Sequence, residues 1–554
     1  MSISMIGVTG RLRISLCAAG ALAALGFGAA SGAHAEMSFV RLSPGQYERT
    51  IHSIFGPSID VEAAGVDSGF RDNGLLAVGD RKLTVSSASL ERYETVARNV
   101  VGQVLSPRNE ATFLPCAPKS KSAPDDACVR QVVNQLAPLL FRRPLRDAEA
   151  EPFVATARSA TEKTEDFHTG LSFAMIELLV SPEFLLRVER SEPDPEHPGL
   201  QRLDAYSMAS RLSFFLWDSA PDKLLMAAAA SGKLNTEKGL AQEVERLLSS
   251  PRAEYGMRAY FSDMFAFADF ATLSKNTNLF PKFTKHVEDD AREQTLRTVV
   301  DQLFMKDGDY RDLYTTRRTF LTPQLAALYD VPLPRSQELG GAVPWIPYEF
   351  PESDPRVGIL THVSFLALHS HPGTTSPTLR GKAIRENILC QKVPPPPGNI
   401  DFTVLQDASN PSLRTVRQRL TAHRATPVCA GCHKITDPIG LSMETFDSSG
   451  VARTHENGAD IDTTGDLGGK KFDAVPQLMA LMRNEPALSK CLVTRTFSYG
   501  TARTPTPDDT KWLNTVNDDL AKNGVKWRPL MRQIATNPRF YAVPVNDMKT
   551  AQAR

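Results

Sequence analysis

A chain of 554 residues, 42% hydrophobic and 23% charged, has globular composition and is long enough for several modules. Its 63 basic side chains are matched by 63 acidic ones, so it lacks the cationic excess that nucleic acid or an anionic membrane surface attracts. Seven cysteines are too few for a disulfide-knotted miniprotein, and two of them stand in a spacing that carries most of the functional reading.

Residues 1–35 have the pattern of a secretory signal peptide. Arg11 and Arg13 form the charged start, an apolar run extends from Ile14 to Ala30, and Ala33-His34-Ala35 makes a cleavage site. The run falls short of the roughly 20 residues of a membrane span. Leu16, before Cys17, is not the small residue that a lipoprotein signal requires. No later stretch is apolar enough to cross a bilayer. The expected mature chain therefore has no transmembrane segment and is exported to the periplasm, an oxidising compartment where cysteines pair.

Helical signals dominate the mature chain. Ser43-Pro44 predicts a helix start, with Tyr47, Ile51 and Phe55 at four-residue spacing and Gly56 as the stop. Residues 190–198 read as a polar, proline-rich linker. Asp204 caps a helix carrying Met208, Leu212, Phe215 and Leu216, and the pattern returns at Leu240, Val244 and Leu247 and again from Leu296 through Phe304. Residues 332–356, with six prolines, read as a connection. Ser376-Pro377 marks the cap of a helix holding Arg380. Pro394 to Pro397 forms a stiff polyproline II spacer, and the Gly-rich stretch 465–469 precedes the last helices. There Trp512, Leu513, Val516 and Leu520 form a stripe that Gly524 closes, and Pro529 opens a helix through Leu530 and Ile534. Alternating runs are few and short, so the expected fold class is mainly α.

Cys429-Ala-Gly-Cys432-His433 is C-x-x-C-H, the attachment sequence of c-type haem. Two thiols three positions apart can each form a thioether to a haem vinyl group, and the adjacent imidazole then lies under the iron as its axial ligand. One covalent haem c is the expected cofactor, with His433 proximal. A redox disulfide would not need the histidine, and structural zinc wants a second ligand pair that the chain does not repeat. Met443, ten residues on, and His371 in Leu368-His369-Ser370-His371-Pro372 are the candidates for the distal position, with His369 beside them. A vacant sixth site is the other option, and it would turn a carrier into an enzyme. Arg380 and Arg453 are candidate partners for the propionates, since guanidinium pairs bidentately with carboxylate. The remaining cysteines suggest two disulfides. Cys116 and Cys128 flank a short polar loop whose closure is worth about 3 kcal/mol, and Cys390 and Cys491 pair by elimination, buried free thiols being the competing view.

These residues resemble a known arrangement, the bacterial planctomycete cytochrome c-like set of domains of unknown function 1587, 1595, 1592, 1588 and 1585, in that order on exported chains. Arg41-Leu42-Ser43 with Tyr47 and Thr50 is similar to the opening module. Phe141-Arg142-Arg143-Pro144-Leu145 with Ser181-Pro182-Glu183-Phe184 is similar to the second, and Ala209 to Trp217 followed by Pro221-Asp222 to the third. Thr375-Ser376-Pro377, Arg380-Gly381, Cys429 to His433, Asp437-Pro438-Ile439-Gly440 and Phe446-Asp447 are similar to the fourth, and Cys491 to Tyr499 onward to the fifth. Two departures stand out. The fifth module's usual Tyr-x-x-Gly-Arg appears as Tyr499-Gly500-Thr501-Ala502-Arg503, and Met443 replaces another apolar residue, so His371 matches the family's loop better.

The expected organisation is a signal peptide (1–35), a short helical module (36–100), a helical module with the Cys116–Cys128 bridge (101–192), a third helical module (198–335), a loop-rich cytochrome c-like module (350–473) and a C-terminal helical module (474–545). The resemblance implies exported, haem-bearing proteins without naming a substrate. Two functions are open: a periplasmic c-type haem protein in electron transfer or substrate oxidation, served by a redox partner or dehydrogenase, or an envelope-binding scaffold in which the C-x-x-C-H segment is structural.

Overall fold

Side-chain caps set where the helices begin. In the computed structural model, which describes residues 37–62, 69–82, 85–195, 200–333, 345–395, 411–423 and 427–543, Ser43 caps helix Pro44–Phe55. Its hydroxyl accepts from the Gln46 amide, while the Gln46 side chain returns to the Ser43 amide. Asp204 caps Ala205–Trp217 and Ser376 caps Pro377–Ala383, each accepting from a backbone amide of the first turn (Ser207 and Leu379). Near the C-terminus, helices Pro507–Asn523 and Trp527–Ala535 match the expected stripes. Helices make up most of the ordered elements, so the fold is mainly α. The signal peptide expected at 1–35 lies outside the described residues.

Two large apolar cores hold most of these helices, and a small third one of Val416, Leu420 and Leu441 sits beside them. Tyr47, Ile51 and Phe55 pack with Tyr93, Val100, Leu136 and Leu171 in one. The other large core takes in Leu75 and Val78 and then runs from Leu203 to Tyr541, gathering helices from the later parts of the chain. At its heart Tyr260 touches Phe261, Trp527 and Tyr499, with ring centroids 5.0, 5.2 and 5.3 Å away. Among the described residues no helix is long and apolar enough to cross a membrane.

The structure departs from the sequence reading at two connections. Residues 190–193 belong to strand Leu186–Pro193, which pairs antiparallel with Met37–Arg41 and with Gln201–Leu203. Gln201–Leu203 pairs in turn with Ala542–Val543, completing a four-stranded sheet. The strand escaped recognition because its inward residues are Arg187, Glu189 and Ser191 rather than apolar ones. Similarly, Ile346–Glu349, inside the expected connection, pairs with Arg318–Leu321.

Disulfides join Cys116 to Cys128 and Cys390 to Cys491. The first ties the loop before helix Asp126–Phe141 to that helix. The second links the residues beyond Pro377–Ala383 to helix Pro486–Thr501.

Candidate functional site

Helix Pro427–Gly440 contains the whole C-x-x-C-H motif. The backbone is helical from Pro427, two residues before the first cysteine, so Cys429 and Cys432 are close to one turn apart. The Cys429 side chain lies outside the described residues. Cys432 is half-buried with a free thiol, which burial and then the charge of Asp437 push up, keeping it protonated.

His433 is buried, and Asp437 lies one turn further along the same face. The Asp437 carboxylate accepts from His433 Nδ1 at 3.1 and 3.0 Å. Asp437 is fully buried and is fixed in turn by the hydroxyls of Thr378 at 2.9 Å and Thr436 at 3.2 Å. Because a carboxylate accepts, the proton resides on Nδ1 and the Nε2 lone pair is left free. Among the described residues the hydrogen bonds of His433 all run through Nδ1. A carboxylate behind a histidine in this way fixes its tautomer and orientation and raises its basicity as a metal ligand. On this donor chemistry the residues present fit a c-type haem iron: one oriented imidazole, directly after the two cysteines.

Close packing places Thr378 there. Helix Pro377–Ala383 crosses Pro427–Gly440 at two glycines. A Cβ on Gly381 would overlap the Thr436 carbonyl, and one on Gly440 would overlap the Pro377 carbonyl.

Among the described residues none of the candidate distal ligands makes a hydrogen bond or ring contact with His433. Met443 is fully buried in the larger core, on the turn Leu441–Thr445. His371 is exposed, and its carbonyl accepts from Lys275 Nζ and Ser448 Oγ. His369 packs edge-on against Phe365 at 4.7 Å. The hydrogen bonds and ring contacts of His433 run instead to Thr378, Asp437 and His423, whose ring stands 5.1 Å away. His423, the last residue of helix Val416–His423, carried no spacing signal that would have singled it out.

Arg380 is fully buried, and its Nη atoms donate to the carbonyls of Met443, Phe446, Leu366 and Asp447 at 2.8, 3.0, 3.3 and 2.8 Å. It acts as a clamp on the 443–447 turn. Arg453 donates to the Glu444 carboxylate at 2.8 Å and to the Glu444 carbonyl at 3.0 Å. Glu444 is buried between the two arginines and receives Thr375 Oγ1 at 2.5 Å. Burial raises its carboxyl above the usual range, and the arginines oppose that rise.

Arginine clamps recur at the other motifs. Arg142 donates to the carbonyls of Glu183, Phe184 and Leu186, and Arg211 binds Glu189 and the Phe540 carbonyl. These contacts explain why Phe141 to Leu145 and Ser181 to Phe184 stand out together in the sequence.

Four family models match the chain, each described as a protein of unknown function: DUF1595 over residues 128–189, DUF1592 over 203–331, DUF1588 over 356–456 and DUF1585 over 468–540. They are modules of the planctomycete cytochrome c-like set, in the expected order, and the opening module is not among them. The DUF1588 match, under the name PSCyt3, contains Arg380, the C-x-x-C-H motif, Met443 and Arg453. No curated protein and no solved structure matches the chain.

Proposed function

We propose that this chain is an exported c-type haem protein that works in periplasmic electron transfer or in oxidation of a substrate. The observation that carries the reading is His433 in C-x-x-C-H, its Nδ1 anchored on Asp437 and its Nε2 free. Cys429 and Cys432 would tether the group and His433 would hold the iron. When bound, haem supplies one-electron redox chemistry. The protein's own part is to orient the imidazole through Asp437, Thr378 and Thr436 and to brace the succeeding turn through Arg380 and Glu444. The match to PSCyt3 and the two disulfides support the reading.

The test is expression of the full chain with a periplasmic haem-maturation system, followed by haem staining of denaturing gels and mass spectrometry. Wild type is expected to retain covalent haem, and Cys429→Ala/Cys432→Ala is expected to lose it. Correctly secreted wild type without an added macrocycle would refute the proposal and favour a helical envelope-binding protein. Carbon monoxide binding to the reduced protein then separates an open-site oxidase from a six-coordinate carrier.

A further inference from the structure

A cavity of about 630 Å³ lies away from the C-x-x-C-H helix. Strands Met37–Arg41 and Leu186–Pro193, helix Pro44–Phe55, and helices Ala205–Trp217, Ala253–Met264 and Lys285–Val300 surround it. Its volume is within the range of small-molecule sites.

Arg187 lines this cavity at 4% exposure. The alternation of Leu186–Pro193 turns Arg187, Glu189 and Ser191 inward. The acids around it are already engaged. Glu189 binds Arg211, at 2.9 Å to Nε, and Ser38. Asp80 pairs with Arg41 at 3.1 Å. Asp218 is held by Arg49 and Gln46. Asp263 takes Arg71 at 2.8 Å and the amides of Leu76 and Ala77. Among the described residues the Arg187 side chain makes no hydrogen bond and no direct ion pair; its Nε is buried without a partner, the face of Phe214 lies beneath it at 5.6 Å, and Glu189, the acid whose charge acts on it most, is already bonded to Arg211. A desolvated guanidinium without a directly bonded counter-ion is costly, and a ligand anion in the cavity would supply that bond.

We propose that this cavity binds a small organic molecule through a carboxylate paired with Arg187. The guanidinium fork matches a planar carboxylate. The other charges lining the cavity are paired with one another, as Asp80 with Arg41, Asp218 with Arg49 and Glu293 with Arg258, so Arg187 offers a single uncommitted guanidinium, which a single carboxylate matches. Phe214, Phe215 and Leu296 provide the apolar wall against which the rest of the molecule packs. This site stands independently of the haem reading, since none of its residues belongs to the C-x-x-C-H helix.

The test uses the full secreted chain and three probes, benzoate, benzamide and phenyl phosphate, in saturation-transfer NMR and calorimetry. Benzoate is expected to bind, benzamide not to, and Arg187→Met to weaken benzoate by about ten- to a hundredfold. Equal benzoate binding by wild type and Arg187→Met, or no binding to wild type, overturns the proposal. Tighter binding of phenyl phosphate overturns the assignment of a carboxylate. Ser262→Phe fills the cavity while leaving Arg187 in place, and benzoate binding that survives it overturns the location. Without any probe, Arg187→Met is expected to raise the thermal midpoint, because it removes a buried cation with no direct ion pair; a fall would overturn the premise that Arg187 needs a ligand anion.

Discussion

Replacing Lys275 by methionine should flatten the pH dependence of stability. Lys275 is 9% exposed and makes no ion pair among the described residues; its Nζ donates to Ser370 Oγ at 2.8 Å and to the carbonyls of Ser370 and His371 at 3.3 and 3.1 Å. Burial, reinforced by the Arg380 guanidinium and opposed by Asp447, pushes its amine from the ordinary 10.5 down to about 7. His371 adjoins it, and His369, pushed down to about 3 by burial and by Arg380, Arg71 and Lys275, stays neutral. The unfolded chain holds the lysine proton up to about pH 10.5, whereas the folded chain releases it near 7. Stability therefore rises with pH across that window. At 1.36 kcal/mol per pH unit, wild type should gain about 2.5 kcal/mol more than Lys275→Met between about pH 6.5 and about pH 9. Urea unfolding of both proteins at the two pH values measures this. The lost hydrogen bonds lower the variant equally at each pH, so only the difference in slope counts. Parallel slopes would refute the reasoning and return Lys275 to an ordinary ammonium.

Three further outcomes are expected. Ala502 ends helix Pro486–Thr501 at φ 52°, and Ala502→Gly should stabilise the protein by about 0.5–1 kcal/mol, read as a higher thermal midpoint; no rise would mean the left-handed backbone costs nothing there. Gly381→Ala forces a methyl against the Thr436 carbonyl and should destabilise by about 1–3 kcal/mol in denaturant unfolding; an unchanged midpoint would show that the crossing is looser than described. In haem-loaded protein, Asp437→Asn should raise the reduction potential measured by spectroelectrochemistry, because a neutral amide makes His433 a weaker donor; an unchanged potential would remove Asp437 from control of the ligand.

Local signals were legible in the sequence and distant ones were not. Ser43, Asp204 and Ser376 announce their helices because a cap is formed within three residues. The C-x-x-C-H motif and the cysteine spacing were equally plain. Strand Leu186–Pro193 was hidden because its partner lies some 150 residues earlier, as the 151-residue separation of Ser38 and Glu189 shows, and because charged residues occupy its inner face. The clamp formed by Arg380 was not legible because nothing local reveals that its bonds reach carbonyls 63 to 67 residues away. Asp437 could have been found: it stands one helical turn after His433, a spacing that invites a carboxylate–imidazole bond.

The four-stranded sheet orders events during biogenesis. Residues 37–41 and 542–543 are both members of it. Synthesis from the amino end delivers Met37–Arg41 early, but the strand that covers the Gln201–Leu203 margin arrives only after more than three hundred intervening residues. Until then that margin is open to any extended segment nearby. Truncation upstream of Ala542 would leave it permanently uncovered, so chains clipped there should be more prone to self-association than the intact chain.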